Sequence, residues 1–273
     1  MTNGMPRLGL LALACGLALG LAACGADNTE QGTDGSSSAE ASVSEQPAFE
    51  GDVVVLAAAS LTESFSQLGA DFQTENPGVT VIFSFGASST LAQQVVSGAP
   101  GDLFASASPT TMATVTDAGL ARGEPVVFVR SRLQIAVPAG NPGGVTGLAD
   151  FADADLTIAL CAEEVPCGAA AAKAFAAAGI TPAPDTLEQD VKAALTKVEL
   201  GEVDAALVYR TDVRAAADTI EGINFPESGD ALNDYPIVLM ADAPNAEAAQ
   251  AFLDYVLSEV GLQVLADAGF ETG

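Results

Sequence analysis

The chain has 273 residues and 36 acidic side chains against nine basic ones, a formal net charge of −27, with neither His nor Trp. That charge excludes nucleic acid as a partner and electrostatic attachment to anionic lipid. The missing His removes the commonest general base and the commonest zinc ligand, while the length allows one large or two moderate domains.

Residues 8–23 form an apolar run after Arg7 that includes Cys15. The run reads as a signal peptide over residues 1–23, too short for a comfortable membrane span. Leu21-Ala22-Ala23-Cys24 resembles a bacterial lipobox, and by that resemblance Cys24 becomes the lipidated first residue of the mature chain. Residues 25–50 hold five serines, six acids and no basic residue. This composition predicts a disordered tether, so 24–50 are expected to link an anchor to the folded part.

After Glu50 the pattern changes to alternating strands and helices, which predicts an α/β fold with parallel-type sheets. Residues 53–56, Val-Val-Val-Leu, are a continuous apolar run of the kind buried inside a sheet. Ala57, Ala58 and Ala59 leave little bulk above its carboxyl end, and Ser60 with Glu63 three residues on has the spacing of a capping box. Leu61, Phe65, Leu68 and Phe72 repeat at helical spacing. A helix start with free N–H groups and one hydroxyl is an anion site, although a lone Ser in this place is more often just a cap.

The second strand, 79–85, leads into Gly86-Ala87-Ser88-Ser89-Thr90 and a helix, repeating the same device. Ser89 and Thr90 read as caps rather than ligands. Residues 100–107 give a third short strand, Pro109 suits the first turn of the next helix, and Asp102 reads as a brace for a loop. Strands follow at 126–129, 133–138 and 156–161, then an Ala-rich helix to Ala178 stopped by Gly179. Gln189-Asp190 precedes a helix with Val191, Leu195 and Val198 on one face. A strand over 203–209 ends in Tyr209, Thr211-Asp212 begins another helix, and 235–240 form the last clear strand before two terminal helices. Cys161 and Cys167 remain as a close pair in an exported chain, which reads as a disulfide rather than a metal site.

Helix starts thus stand at Ser60, Ser88, Cys167 and Val191, mostly among small or apolar neighbours, with Lys192 after Val191 the one basic residue beside them. Neutral donors suit a fully deprotonated oxyanion, which only accepts hydrogen bonds. An enzyme using Ser60 or Ser88 as nucleophile needs a base. There is no His, and Lys173, Lys192 and Lys197 all lie far along the chain from these serines. A surface sensor that has lost its ligand is a third reading, opposed by the intact donors.

Six segments in order carry a family resemblance: AAASLT (57–62), FGASSTLA (85–92), GAPGDLFASAS (98–108), VPCG (165–168), DVKAAL (190–195) and VYRTD (208–212). They resemble the periplasmic molybdate-binding proteins of molybdate ABC importers, over essentially all of residues 52–270. The resemblance implies a two-lobed type II periplasmic-binding-protein fold with two crossovers, lobe 1 being 51–132 plus 236–273 and lobe 2 being 133–235. It implies that molybdate or tungstate is held by Ser60 and Ser88 through hydroxyl and N–H, by Cys167 and Val191 through N–H, and by the Tyr209 hydroxyl. Cys167 stands where many relatives would carry Ala. The metal would be bound only as the oxyanion, with no cofactor, and the partner would be a membrane permease served by a lipid-anchored monomer outside the cytoplasmic membrane. Sulfate, also a tetrahedral dianion, is the alternative ligand.

Overall fold

The computed structural model describes residues 49–272. The signal peptide, Cys24 and nearly all of the tether therefore lie outside the described residues. Two five-stranded sheets are each flanked by helices. The first contains β1 (Gly51–Ala58), β2 (Val79–Gly86), β3 (Leu103–Ala105), β4 (Ala121–Ser131) and β10 (Asn233–Met240), in the order β2-β1-β3-β10-β4. The second contains β5 (Leu133–Pro138), β6 (Ile158–Cys161), β7 (Thr186–Glu188), β8 (Ala205–Tyr209) and β9 (Ile220–Ile223), in the order β7-β6-β8-β5-β9.

The sheets are mixed, which corrects the expectation of parallel-type sheets. β10 runs antiparallel to β3 and β4, and β5 antiparallel to β8 and β9. The reason lies in the crossings: β5 and β10 are the strands by which the chain enters each lobe from the other. The first crossing is at Arg132, between β4 and β5. The second ends at Asn233, so residues 233–235, placed above with the second lobe, pair with Ser131, Arg130 and Val129 of the first sheet.

Helix α1 (Thr62–Glu75) packs with α7 (Ala246–Leu257) and α8 (Glu259–Ala268) on one face of the first sheet, around Phe65, Phe72 and Phe252. Helices α2 (Ser88–Val96) and α3 (Pro109–Asp117) cover the opposite face with Leu91, Val95, Met112 and Val115. Successive residues of a strand face opposite sides, and β3 divides accordingly: Leu103 and Ala105 join the Phe65 cluster while Phe104 joins the other. A sheet buried on both faces explains why β1 reads as an unbroken apolar run.

In the second lobe α4 (Pro166–Ala178), α5 (Val191–Glu199) and α6 (Arg210–Ala215) pack around one core containing Ile135, Phe151, Phe175 and Leu207. Asp102 braces as expected, accepting the Val54 N–H at 2.8 Å and the Asn245 N–H at 2.7 Å. The short strands β7 and β9 were not anticipated: both lie at sheet edges and are only three and four residues long, too short to show a strand pattern.

Candidate functional site

Between the lobes lies a cavity of about 10 Å³, roughly the room for one water-sized sphere. Ser60, Ser88, Cys167, Val191 and Tyr209 all line it, so the structure brings the five expected residues together. The remaining lining is Ala58, Ala59, Gly86, Ala87, Ala107, Pro166 and Asp190. Ala59 and Ala87 of the first lobe share one buried cluster with Leu133, Cys167 and Val191 of the second, so the lobes touch across the cavity.

The two helix starts of the first lobe arrive by the same route. β1 and β2 end in small residues, after which the chain turns directly into a helical segment. Ser60 sits in a 3-10 turn, Ala59–Leu61, that leads into α1, and Ser88 is the first residue of α2. Cys167 is the second residue of α4 and Val191 the first of α5. First-turn N–H groups have no acceptor within their helix, and the helix dipole adds positive potential there. Asp190 caps α5, its carboxylate accepting the Ala193 N–H at 2.9 Å. Among the described residues, no Lys or Arg lines the cavity.

The expected capping box at Ser60 does not form. Ser60 Oγ is 2.8 Å from the Tyr235 hydroxyl, and Glu63 reaches across to the second lobe, taking Lys192 Nζ at 2.8 and 2.9 Å. The cap reading thus yields to a hydroxyl held at the cavity. Ser89 and Thr90 do not cap α2 either, which has no side-chain cap. Ser88 is buried, and its Oγ accepts the Ala107 N–H at 3.0 Å. Because that bond uses the oxygen as acceptor, the Ser88 proton remains to be donated.

Tyr209 is buried at the end of β8, its ring edge-on to Tyr235 with centroids 5.9 Å apart. Burial, reinforced by the Asp212 charge, pushes its hydroxyl well above the usual phenol range, so it stays protonated and able to donate. Lys192 Nζ lies 3.1 Å from Asp212 Oδ1, and Asp212 Oδ2 accepts the Tyr209 N–H at 3.1 Å. Burial opposes the Lys192 charge, but Asp212 and Glu63 outweigh it and raise its pKa. Asp212 is itself pushed up by burial, with Lys192 pulling the other way.

Cys161 and Cys167 form a disulfide with Cα atoms 5.8 Å apart. It closes the loop between β6 and α4, and the chain-entropy model gives about 2 kcal/mol for a loop this short. Tyr235 and Asn233, which support the site from β10, were not among the candidate residues. Their two-residue spacing, which puts both on one face of a strand, is the local signal that could have found them.

A family model described as bacterial extracellular solute-binding protein matches residues 53–271. The chain belongs to this family. As a solute-binding protein it serves transport outside the cytoplasm and is not an enzyme. The molybdate-binding protein ModA of Mycobacterium tuberculosis is 35% identical over 254 residues, covering 93% of this chain and 94% of that one. Two solved structures share the fold of this solute-binding protein. The periplasmic molybdate-binding protein of Azotobacter vinelandii has a TM-score of 0.70 at 20% identity, covering 81% of this chain and 99% of that one. The sulfate-binding protein SubI of M. tuberculosis has a TM-score of 0.71 at 18% identity, covering 81% and 86%.

Proposed function

We propose that this solute-binding protein captures molybdate, and tungstate with it, and delivers the anion to the membrane permease of an ABC importer. The observation that carries the reading is the cavity itself. Ser60, Ser88 and Tyr209 bring hydroxyls, Cys167 and Val191 bring first-turn N–H groups, and no basic side chain takes part. A ligand for such a site must accept at every oxygen, as a fully deprotonated tetrahedral dianion does. Hydrogen phosphate carries an O–H that would need an acceptor. Kinship with ModA proteins supports molybdate within this class. Sulfate is the second reading, favoured by the small cavity.

The test is calorimetry of the domain from about Glu50 onward against molybdate, tungstate, sulfate and phosphate. Molybdate and tungstate should bind more tightly than sulfate by orders of magnitude, and phosphate should not register. Tighter sulfate binding would reverse the assignment. A hydrogen bond to a charged group is worth roughly 1.5–3 kcal/mol, so Ser60→Ala, Ser88→Ala and Tyr209→Phe should each weaken molybdate binding by about one to two decades. Val191→Ala should do far less, because its contact would be made by the main chain. If Val191→Ala weakens binding as much as Ser88→Ala with melts unchanged, this division of roles is wrong.

The reading includes a lipid anchor at Cys24 and a monomeric mature protein. The support for the anchor is the Leu21-Ala22-Ala23-Cys24 run followed by a polar stretch. Cys24→Ser should move the protein out of the membrane fraction or leave an uncleaved precursor. An unlipidated wild-type chain in the medium would refute it.

A further inference from the structure

The return strand β10 brings a single buried amide, Asn233, to the junction of the two lobes. Its Nδ2 donates to the Ala107 carbonyl at 2.9 Å and to the Tyr209 hydroxyl at 2.6 Å. Which end of the amide is nitrogen follows from the partners: a carbonyl oxygen can only accept, so the group facing Ala107 must be the NH2. The same NH2 then faces Tyr209, whose oxygen must accept. The Tyr209 proton is thereby excluded from the Asn233 side. The amide reaches Ser88 of its own lobe as well, because the Ala107 residue it holds gives its own N–H to Ser88 Oγ. That contact likewise uses the oxygen of Ser88 as an acceptor and leaves its proton unassigned within the protein.

We propose that Asn233 is a positioning residue that sets the direction of the hydroxyl protons at the cavity, directly for Tyr209 and through Ala107 for Ser88. The proposal rests on the oxyanion-binding reading above and deepens it, since it explains how hydroxyls that could accept are made to donate. The high pKa of Tyr209 keeps that proton in place across the neutral range. Without the amide, nothing on that side holds the Tyr209 oxygen as an acceptor, and the hydroxyl is free to turn its proton away from the ligand and present its lone pairs instead. A binding site of fixed donors would become one of mixed polarity, poorer for a dianion with only acceptors.

A double-mutant cycle tests this, because a group that acts through another contributes nothing once that other is gone. Asn233→Leu keeps the side-chain size and removes the amide. In the wild-type background it should weaken molybdate binding by about tenfold, measured by calorimetry, with thermal melts taken without ligand. In the Tyr209→Phe background the same substitution should weaken binding by less, about threefold, the remainder being what passes through Ala107 to Ser88. Asn233→Ser serves as the second variant should the Leu form not fold. Equal losses in both backgrounds, or unchanged affinity in the wild-type background, would overturn the assignment. A wild-type chain that binds none of the oxyanions would instead overturn the reading on which it rests.

Discussion

Replacing Lys192 by Met is expected to cost about 2–3 kcal/mol of stability, and the loss should shrink as the pH falls. Asp212 is fully buried, and Lys192 Nζ at 3.1 Å is its counter-charge. Breaking a buried pair from one side strands the other charge, at roughly 3–5 kcal/mol for a fully buried pair. The Lys192 side chain is 25% exposed, so the lower figure applies here. The link to Glu63, whose side chain is half exposed, adds little to stability. The sign of the pH effect follows from Asp212. Its pKa is already raised by burial, and loss of Lys192 raises it further. In the window between the unfolded carboxylate value, about 4, and the raised folded value, the folded state holds a proton that the unfolded state has released, so stability falls as pH rises. Urea unfolding of both proteins at pH 5 and pH 8 checks this. A deficit equal at both would mean that Asp212 is not the group left unpaired.

The second large effect should come from Gly168→Ala. A Cβ at this position would lie 1.9 Å from the Ala162 carbonyl oxygen and 2.5 Å from its carbon. Both are backbone atoms of the loop that the Cys161–Cys167 disulfide closes, so they have little room to retreat. Overpacking of this kind costs about 3 kcal/mol or more. The strain should also move the first turn of α4, and molybdate affinity should fall together with the melting temperature. Gly179→Ala at the other end of α4 is the comparison. There φ is +67° with open space around the site, and the cost should be only about 1 kcal/mol, with affinity unchanged. If Gly168→Ala melts no earlier than Gly179→Ala, the close approach at Ala162 is not a real constraint.

The parts of the site that could be read from the sequence are those encoded locally. A strand of small and β-branched residues, a turn without bulk and a helix start lie within a dozen residues of one another, and this is how Ser60 and Ser88 could be picked out. The same holds for Leu61, Phe65, Leu68 and Phe72, all of which are buried at the spacing that predicts it. The misreadings have long-range causes. Glu63 has capping-box spacing but its partner is Lys192, 129 residues away in the other lobe, and no local rule anticipates that contact. The mixed character of the sheets depends on which strands carry the crossings, which periodicity does not encode. Asn233 and Tyr235 lie at the start of the return strand, where their hydroxyl partners, Tyr209 and Ser60, are 24 and 175 residues distant.

The placement of β10 has a consequence for the order in which the molecule can assemble. Within the first sheet β10 lies between β3 and β4, and among the described residues β4 pairs there with no other strand. Yet about a hundred residues, an entire second lobe, separate β4 from β10 along the chain. The first lobe therefore cannot complete its sheet as it leaves the ribosome; β4 stays unpartnered until residue 240 has been made. Contacts of such sequence separation are slow to form, because loop closure must precede any gain from the pairing. A chain truncated before Asn233 would hold β1, β2 and β3 with no strand to join them to β4. Folding of the first half waits on the last third of the chain, so the nascent protein remains open until synthesis is nearly complete.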